Sequence, residues 1–177
     1  MKKIAAALLI LTLSLISPAF AARTTEEVQK LLDSRQVICW VEGTLFGDLI
    51  LGSRGSITFV YLDEKMSNAI RDDHGLAPWA DDLNQYYGSP GTEKKAIFLI
   101  QLETNKPWDV EISKFKVGSY SLTKNDILSP SWTNPIGPLE SGIKAQMAVA
   151  VPAVEVKRGS EVAIGYGDDV IKWKVPR

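Results

Sequence analysis

The stretch "IKAQMAVAV" (143–151) governs how the rest of the chain is read. Ile143, Met147, Val149 and Val151 share one parity, and Lys144 and Gln146 take the other. That period of two belongs to a strand with one buried face. On its C-terminal side, "EVAIGYGDDVIKWKV" (161–175) reads as a hairpin turning near Gly167-Asp168. Ile171, Trp173 and Val175 point inward there, and Lys172 and Lys174 outward. On its N-terminal side, "AIFLIQLET" (96–104) has the unbroken apolar run of a central strand, and "NKPWD" then turns the chain into "VEISKFKV" (110–117). Parity slips inside this last segment, from Val110 and Ile112 to Phe115 and Val117, so a β-bulge is expected near Ser113-Lys114.

Further upstream, "VICWVEG" (37–43) and "DLILGSRGSITFVYL" (48–62) extend the pattern. Together they predict a meander of three strands, apolar on both faces in places and therefore central and covered on each side. Trp40 and Trp173 lie on strands and are expected in the core, as is Cys39. One helix precedes the meander, "TTEEVQKLLDSRQ" (24–36). Thr24 and Glu27 are spaced as a capping box, and Val28, Leu31 and Leu32 form its apolar stripe. Residues 63–95 lose the strand signal. A short helix ending near Gly75 and a helical turn near 81–87 are expected within this long insertion.

These segments predict an all-β, mainly antiparallel fold: an immunoglobulin-like β-sandwich with an N-terminal helix, in one domain spanning 22–177. A small β-barrel or an α+β arrangement is the alternative. In its rhythm of strand and turn, the portion from Lys95 to Arg177 resembles secreted immunoglobulin-like sandwiches. The cysteine pair with a central tryptophan found in antibody domains is missing.

The first residues concern compartment. Lys2 and Lys3 precede the apolar run "IAAALLILTLSLI" (4–16), and "SPAFA" follows, with Ala19 and Ala21 as the small residues of a cleavage site. The run falls short of the roughly 20 residues of a membrane span. Residues 1–21 are therefore expected to be a signal peptide, and the protein to be exported to the periplasm or beyond the cell, with no integral membrane segment after cleavage. With 20 Lys and Arg against 21 Asp and Glu, the formal net charge is −1, and loss of Lys2 and Lys3 makes the remainder more acidic. Such a balance argues against nucleic acid and anionic membrane as partners. Cys39 is the only cysteine, so no disulfide within the chain contributes to stability.

Chemistry is sparse. His74 is the only histidine and lies in "IRDDHGLAPWADDLNQYYG" (70–88). Consecutive Asp72, Asp73 and His74 fan apart on a helix rather than converge, and no D-x-D-x-D calcium loop is present, so no metal ligands are assigned. No cofactor motif, G-x-S-x-G elbow or phosphate loop occurs, and no catalytic residue is assigned. Loop aromatics and acids are the better lead. Trp79 in "APWAD", Trp108 in "KPWDV" and Trp132 in "PSWTNP" sit beside prolines or turn residues, and Asp81, Asp82, Tyr86 and Tyr87 surround the first. Flat aromatic faces stack on sugars or anchor protein partners. The expected function is a non-enzymatic binding module for a protein or glycan partner. A small hydrolase using acidic residues and a calcium-supported adhesion domain are the alternatives.

Overall fold

The computed structural model describes residues 25–72 and 78–177. The signal-peptide reading, the Thr24 cap, and Asp73, His74 and Gly75 all lie outside the described residues. Strand is the commonest regular structure of the described residues, antiparallel and arranged in several sheets, none of which closes on itself, so the barrel alternative is not what this sequence forms.

Helix α1 (Thr25–Asp33) buries Val28 and Leu32 and leads directly into β1 (Gln36–Val41). A small hairpin follows, β2 (Thr44–Phe46) and β3 (Leu49–Leu51), and then β4 (Gly55–Leu62). The insertion holds α2 (Glu64–Asp72), a 3₁₀ turn at Pro78–Ala80 and α3 (Asp81–Asn84). Next come β5 (Lys95–Thr104), β6 (Trp108–Val110), β7 (Phe115–Val117), β8 (Tyr120–Ser121) and β9 (Gly137–Leu139). The chain finishes with β10 (Lys144–Pro152), β11 (Glu161–Tyr166) and β12 (Asp169–Lys174).

Two four-stranded sheets dominate, in the orders β1-β4-β5-β10 and β12-β11-β7-β8. They share one apolar core. The first sheet contributes Val37, Phe59, Phe98, Ile100, Met147 and Val149, and the second contributes Phe115, Ile164 and Trp173. Aromatic rings meet edge to face inside it, with Phe115 and Tyr166 centroids at 5.1 Å and Phe98 and Trp173 at 6.2 Å.

The outer face of the first sheet carries a second core at one end. Val60, Leu62, Ile97, Leu99, Ala148 and Ala150 pack there under Met66, Ile70, Ala80 and Leu83 of the insertion and Leu32 of α1. One ion pair holds this cap in place. Arg35 Nε and Nη2 donate to the two carboxylate oxygens of Asp63 at 2.9 and 2.7 Å. Asp63 Oδ1 also accepts the Met66 N–H at 2.9 Å, starting α2. Burial works against the Asp63 charge, but these bonds and the guanidinium outweigh it and hold the carboxyl below its ordinary range.

Two expectations need correction. The parity slip near Ser113-Lys114 is not a bulge: a 3₁₀ turn at Ile112–Lys114 separates β6, which pairs with β9, from β7, which pairs with β11 and β8. Nor is the upstream meander covered on both sides. β1 is the end strand of its sheet, and its outer row, Ile38 and Trp40, is 40% exposed at both positions. Trp40 is therefore not a core residue, whereas Trp173 is.

Candidate binding surfaces

Cross-strand register explains why the outer face of the first sheet divides in two. Moving away from the helical cap, one row across the sheet is Ile38, Thr58, Gln101 and Gln146, and the next is Trp40, Ser56, Glu103 and Lys144. Three of the four strands switch to polar residues where the helices stop. β1 does not, and its Ile38 and Trp40 stay apolar in water.

The β2–β3 hairpin enlarges this apolar edge. Gly47 opens its two-residue turn at φ 60, the left-handed value that the first central residue of a II′ hairpin turn requires. Gly43 lets the hairpin fold back, because a Cβ there would meet Ile50 Cγ2 at 2.8 Å. Leu45 and Ile50 pair across the hairpin and line a shallow groove of about 180 Å³ with Trp40, Val170 and Ile171. Phe46, Leu49 and Leu51 lie on the hairpin's other parities. Exposure reaches 73% at Leu45, 71% at Phe46, 62% at Leu49 and 51% at Leu51. A hairpin this short is marginal in water, and one that exposes leucine and phenylalanine on both faces gains nothing from that solvent.

The base of the hairpin is polar and tied down. The Glu42 N–H donates to Asp169 Oδ2 at 3.0 Å, linking the end of β1 to β12. Arg54 pairs with the Glu42 carboxylate at 2.9 Å, and this hydrogen bond holds the Glu42 carboxyl below its usual range. Lys106 Nζ donates to the Gly52 carbonyl at 2.7 Å. Cys39, behind the groove, donates its S–H to the Asp169 carbonyl at 3.0 Å. Burial pushes this thiol up to about 11, against a lowering bond from the Tyr166 backbone, and the Asp169 charge adds to the rise. A protonated, buried sulfur is a poor nucleophile.

The residues singled out from sequence go to different places. Trp108 lies in β6, 6% exposed, with its ring 5.0 Å from that of Tyr166; it is a core residue that offers no face to a ligand. Trp79 is half-buried against the helical cap. Tyr87 turns toward the start of α2, where partial burial and then Glu64 and Asp63 push its phenol up. Asp81 is half-buried and Asp82 exposed, both in the first turn of α3. Trp132 is 85% exposed in a 3₁₀ turn (Ser131–Thr133) fixed by Thr133, whose N–H and hydroxyl donate to the Pro130 carbonyl at 3.1 and 2.8 Å.

The structure brings the 63–95 insertion and the turn around Trp132 together. Asp82 and Tyr86 from one, and Pro130 and Thr133 from the other, line a groove of about 470 Å³ whose remaining side is β10 from Lys144 to Gln146. Among the described residues, no three His, Cys, Asp or Glu side chains stand close enough to hold a metal ion. The apolar hairpin is the feature that sequence reasoning missed. The available signal was "TLFGDLIL" (44–51), a two-residue glycine turn between apolar pairs, too short to be a covered meander. Comparison with family models, characterised proteins and solved structures finds no match to this chain.

Proposed function

We propose that the chain is an exported immunoglobulin-like β-sandwich that binds a protein partner in the cell envelope or outside it and catalyses no reaction. The strand connections support the sandwich reading. From β4 onward the chain builds β4 and β5, crosses to β7 and β8, bridges from Ile127 to Val149 of β10, enters β10, and crosses again to β11 and β12. In immunoglobulin letters this is A, B, C, C′, D, E, F and G, with sheets A-B-E-D and G-F-C-C′. β1 is then an added edge strand beside A, and the helical insertion joins A to B. Export rests on the N-terminal pattern of charge, apolar run and small residues.

One observation carries the binding function: the apolar hairpin together with the uncovered row of β1 and β12. Full burial of a leucine or phenylalanine side chain releases about 1.5–3 kcal/mol. Four such side chains more than half exposed in one hairpin therefore make covering this surface strongly favourable. Aliphatic side chains match an apolar protein surface better than the hydroxyls of a sugar, so the partner is a protein.

The test compares the protein, exported by its own leader, with a Leu45→Ser/Phe46→Ser/Leu49→Ser variant in cross-linking capture from the envelope fraction. The wild type should begin at Ala22 and retain a specific protein that the variant loses, while thermal unfolding of the two stays alike. Equal recovery by both proteins, or retention of polysaccharide alone, would sink the reading.

A further inference from the structure

The groove beside β10 contains sheet edge that the fold leaves unfinished. β10 ends its sheet, and only its C-terminal half is covered from outside. There Ile127 bridges to Val149, the Leu128 N–H donates to the Ala148 carbonyl at 2.8 Å, and the Ala148 N–H donates to Ser129 Oγ at 3.2 Å. An antiparallel neighbour continuing in that register would next donate from residue 130 to the Gln146 carbonyl. Residue 130 is proline and has no N–H to donate. Its own carbonyl is taken by Thr133, so the covering segment leaves the strand path for the 3₁₀ turn at Ser131–Thr133, which stays beside β10 without bonding its Gln146 main chain. By strand alternation the main-chain groups of Gln146 and Lys144 point to the same side as those of Ala148, away from β5. Among the described residues, no hydrogen bond satisfies the Gln146 N–H or carbonyl.

We propose that this groove takes an extended peptide segment of a partner protein, which adds to β10 as the missing length of strand. The unpaired edge from Lys144 to Gln146, exposed at Lys144 and half-buried at Gln146, offers donors and acceptors at the spacing of a strand, about 6.6 Å for every second residue. A sugar chain has no such repeat of paired N–H and C=O groups. Leu83 and Tyr86 line one side of the groove and Pro130 and Thr133 another, so a segment added to β10 meets side chains from both. Gln146 shares the parity of Ala148 and Ala150, which face the helical cap. The peptide residue opposite Gln146 therefore projects toward Leu83 and Tyr86 and is apolar. Trp132 stands between Pro130 and Thr133 in the chain and is exposed.

Heptapeptides selected from a random phage-displayed library on the purified protein provide the probe. Enriched peptides should slow amide exchange at Gln146 at least tenfold and leave Ala145, which bonds to β5, unchanged. N-methylation of alternate peptide amides should abolish binding. Gln146→Pro should weaken it at least tenfold, because a proline at an open edge removes only the free N–H. Should that variant misfold, the N-methyl comparison on the wild-type protein decides. Peptides that bind regardless of N-methylation, or a library that yields no enriched sequence, overturn the proposal. Protection of Gln146 by an oligosaccharide, or by rising protein concentration without peptide, overturns it too, in favour of a glycan or a second copy. The Leu45→Ser/Phe46→Ser/Leu49→Ser variant should bind the peptides normally, so this site stands or falls apart from the hairpin face.

Discussion

β5 and β1 carry the same kind of residues and meet different fates. In β5, Phe98, Ile100 and Leu102 enter the core between the sheets, while Ile97 and Leu99 enter the helical cap. In β1, Val37, Cys39 and Val41 enter the shared core, but Ile38 and Trp40 meet water. The cause lies outside both strands. The helices of the insertion cover the outer sheet face over β4, β5 and β10 at one end, and the ion pair of Arg35 and Asp63 anchors them there. Ile38 and Trp40 lie beyond their reach. An apolar row thus states only that a cover is needed; among the described residues β5 has one and β1 does not.

If that comparison is right, the two outer rows should respond unequally to mutation. The largest effect belongs to Leu99→Ala, which opens a cavity beneath the cap at a fully buried site. It should cost about 3 kcal/mol, in the middle of the range for such truncations, measured by urea unfolding. A loss below about 1 kcal/mol would mean that the cap adds little.

Arg35→Ala probes the anchor and should cost less, roughly 2 kcal/mol, because Asp63 keeps some contact with water and the cost stays under the ~3–5 kcal/mol of a fully buried pair. The pair also predicts a pH dependence. The folded-state carboxyl of Asp63 lies below its unfolded value, so its contribution is complete above an ordinary aspartate pKa of about 4 and is lost as pH falls further. Stability of Arg35→Ala should therefore fall less steeply than wild type below that pH. Parallel acid limbs in the two proteins would remove Asp63 from the account.

Much of the sheet scaffold was legible because period-two patterns are local. "IKAQMAVAV" became β10, and "EVAIGYGDDVIKWKV" became β11 and β12, turning at Gly167 and Asp168 as read. The insertion's expected helical segments appear as α2 and α3, while the expected helix end at Gly75 lies outside the described residues. What failed depended on distant partners. A parity slip has two structural solutions, a bulge or a turn, and the choice at Ile112–Lys114 was settled by β9 and β11, far along the chain. Trp108 and Trp132 look alike in sequence, each within two residues of a proline, yet Trp108 alternates with Val110 in a strand and Trp132 sits among serine, threonine and asparagine. That neighbour pattern was the available signal. The groove beside β10 could not be read, since nothing local says that Tyr86 and Thr133 converge.

Ile38→Thr gives the smallest expected effect and the sharpest test of the contrast. Threonine keeps the β-branched shape that suits a strand and matches Thr58, its cross-strand partner. If Ile38 faces water in the isolated protein, stability should move by no more than about 0.5 kcal/mol, the usual span for surface changes. Were Ile38 covered instead, by self-association for example, losing apolar contact and burying a hydroxyl would cost more than that, and the cost would grow with protein concentration. Running the unfolding curve at two concentrations separates these cases. A small, concentration-independent change leaves the row of β1 bare where β5 is covered, which is what distinguishes the two strands among the described residues.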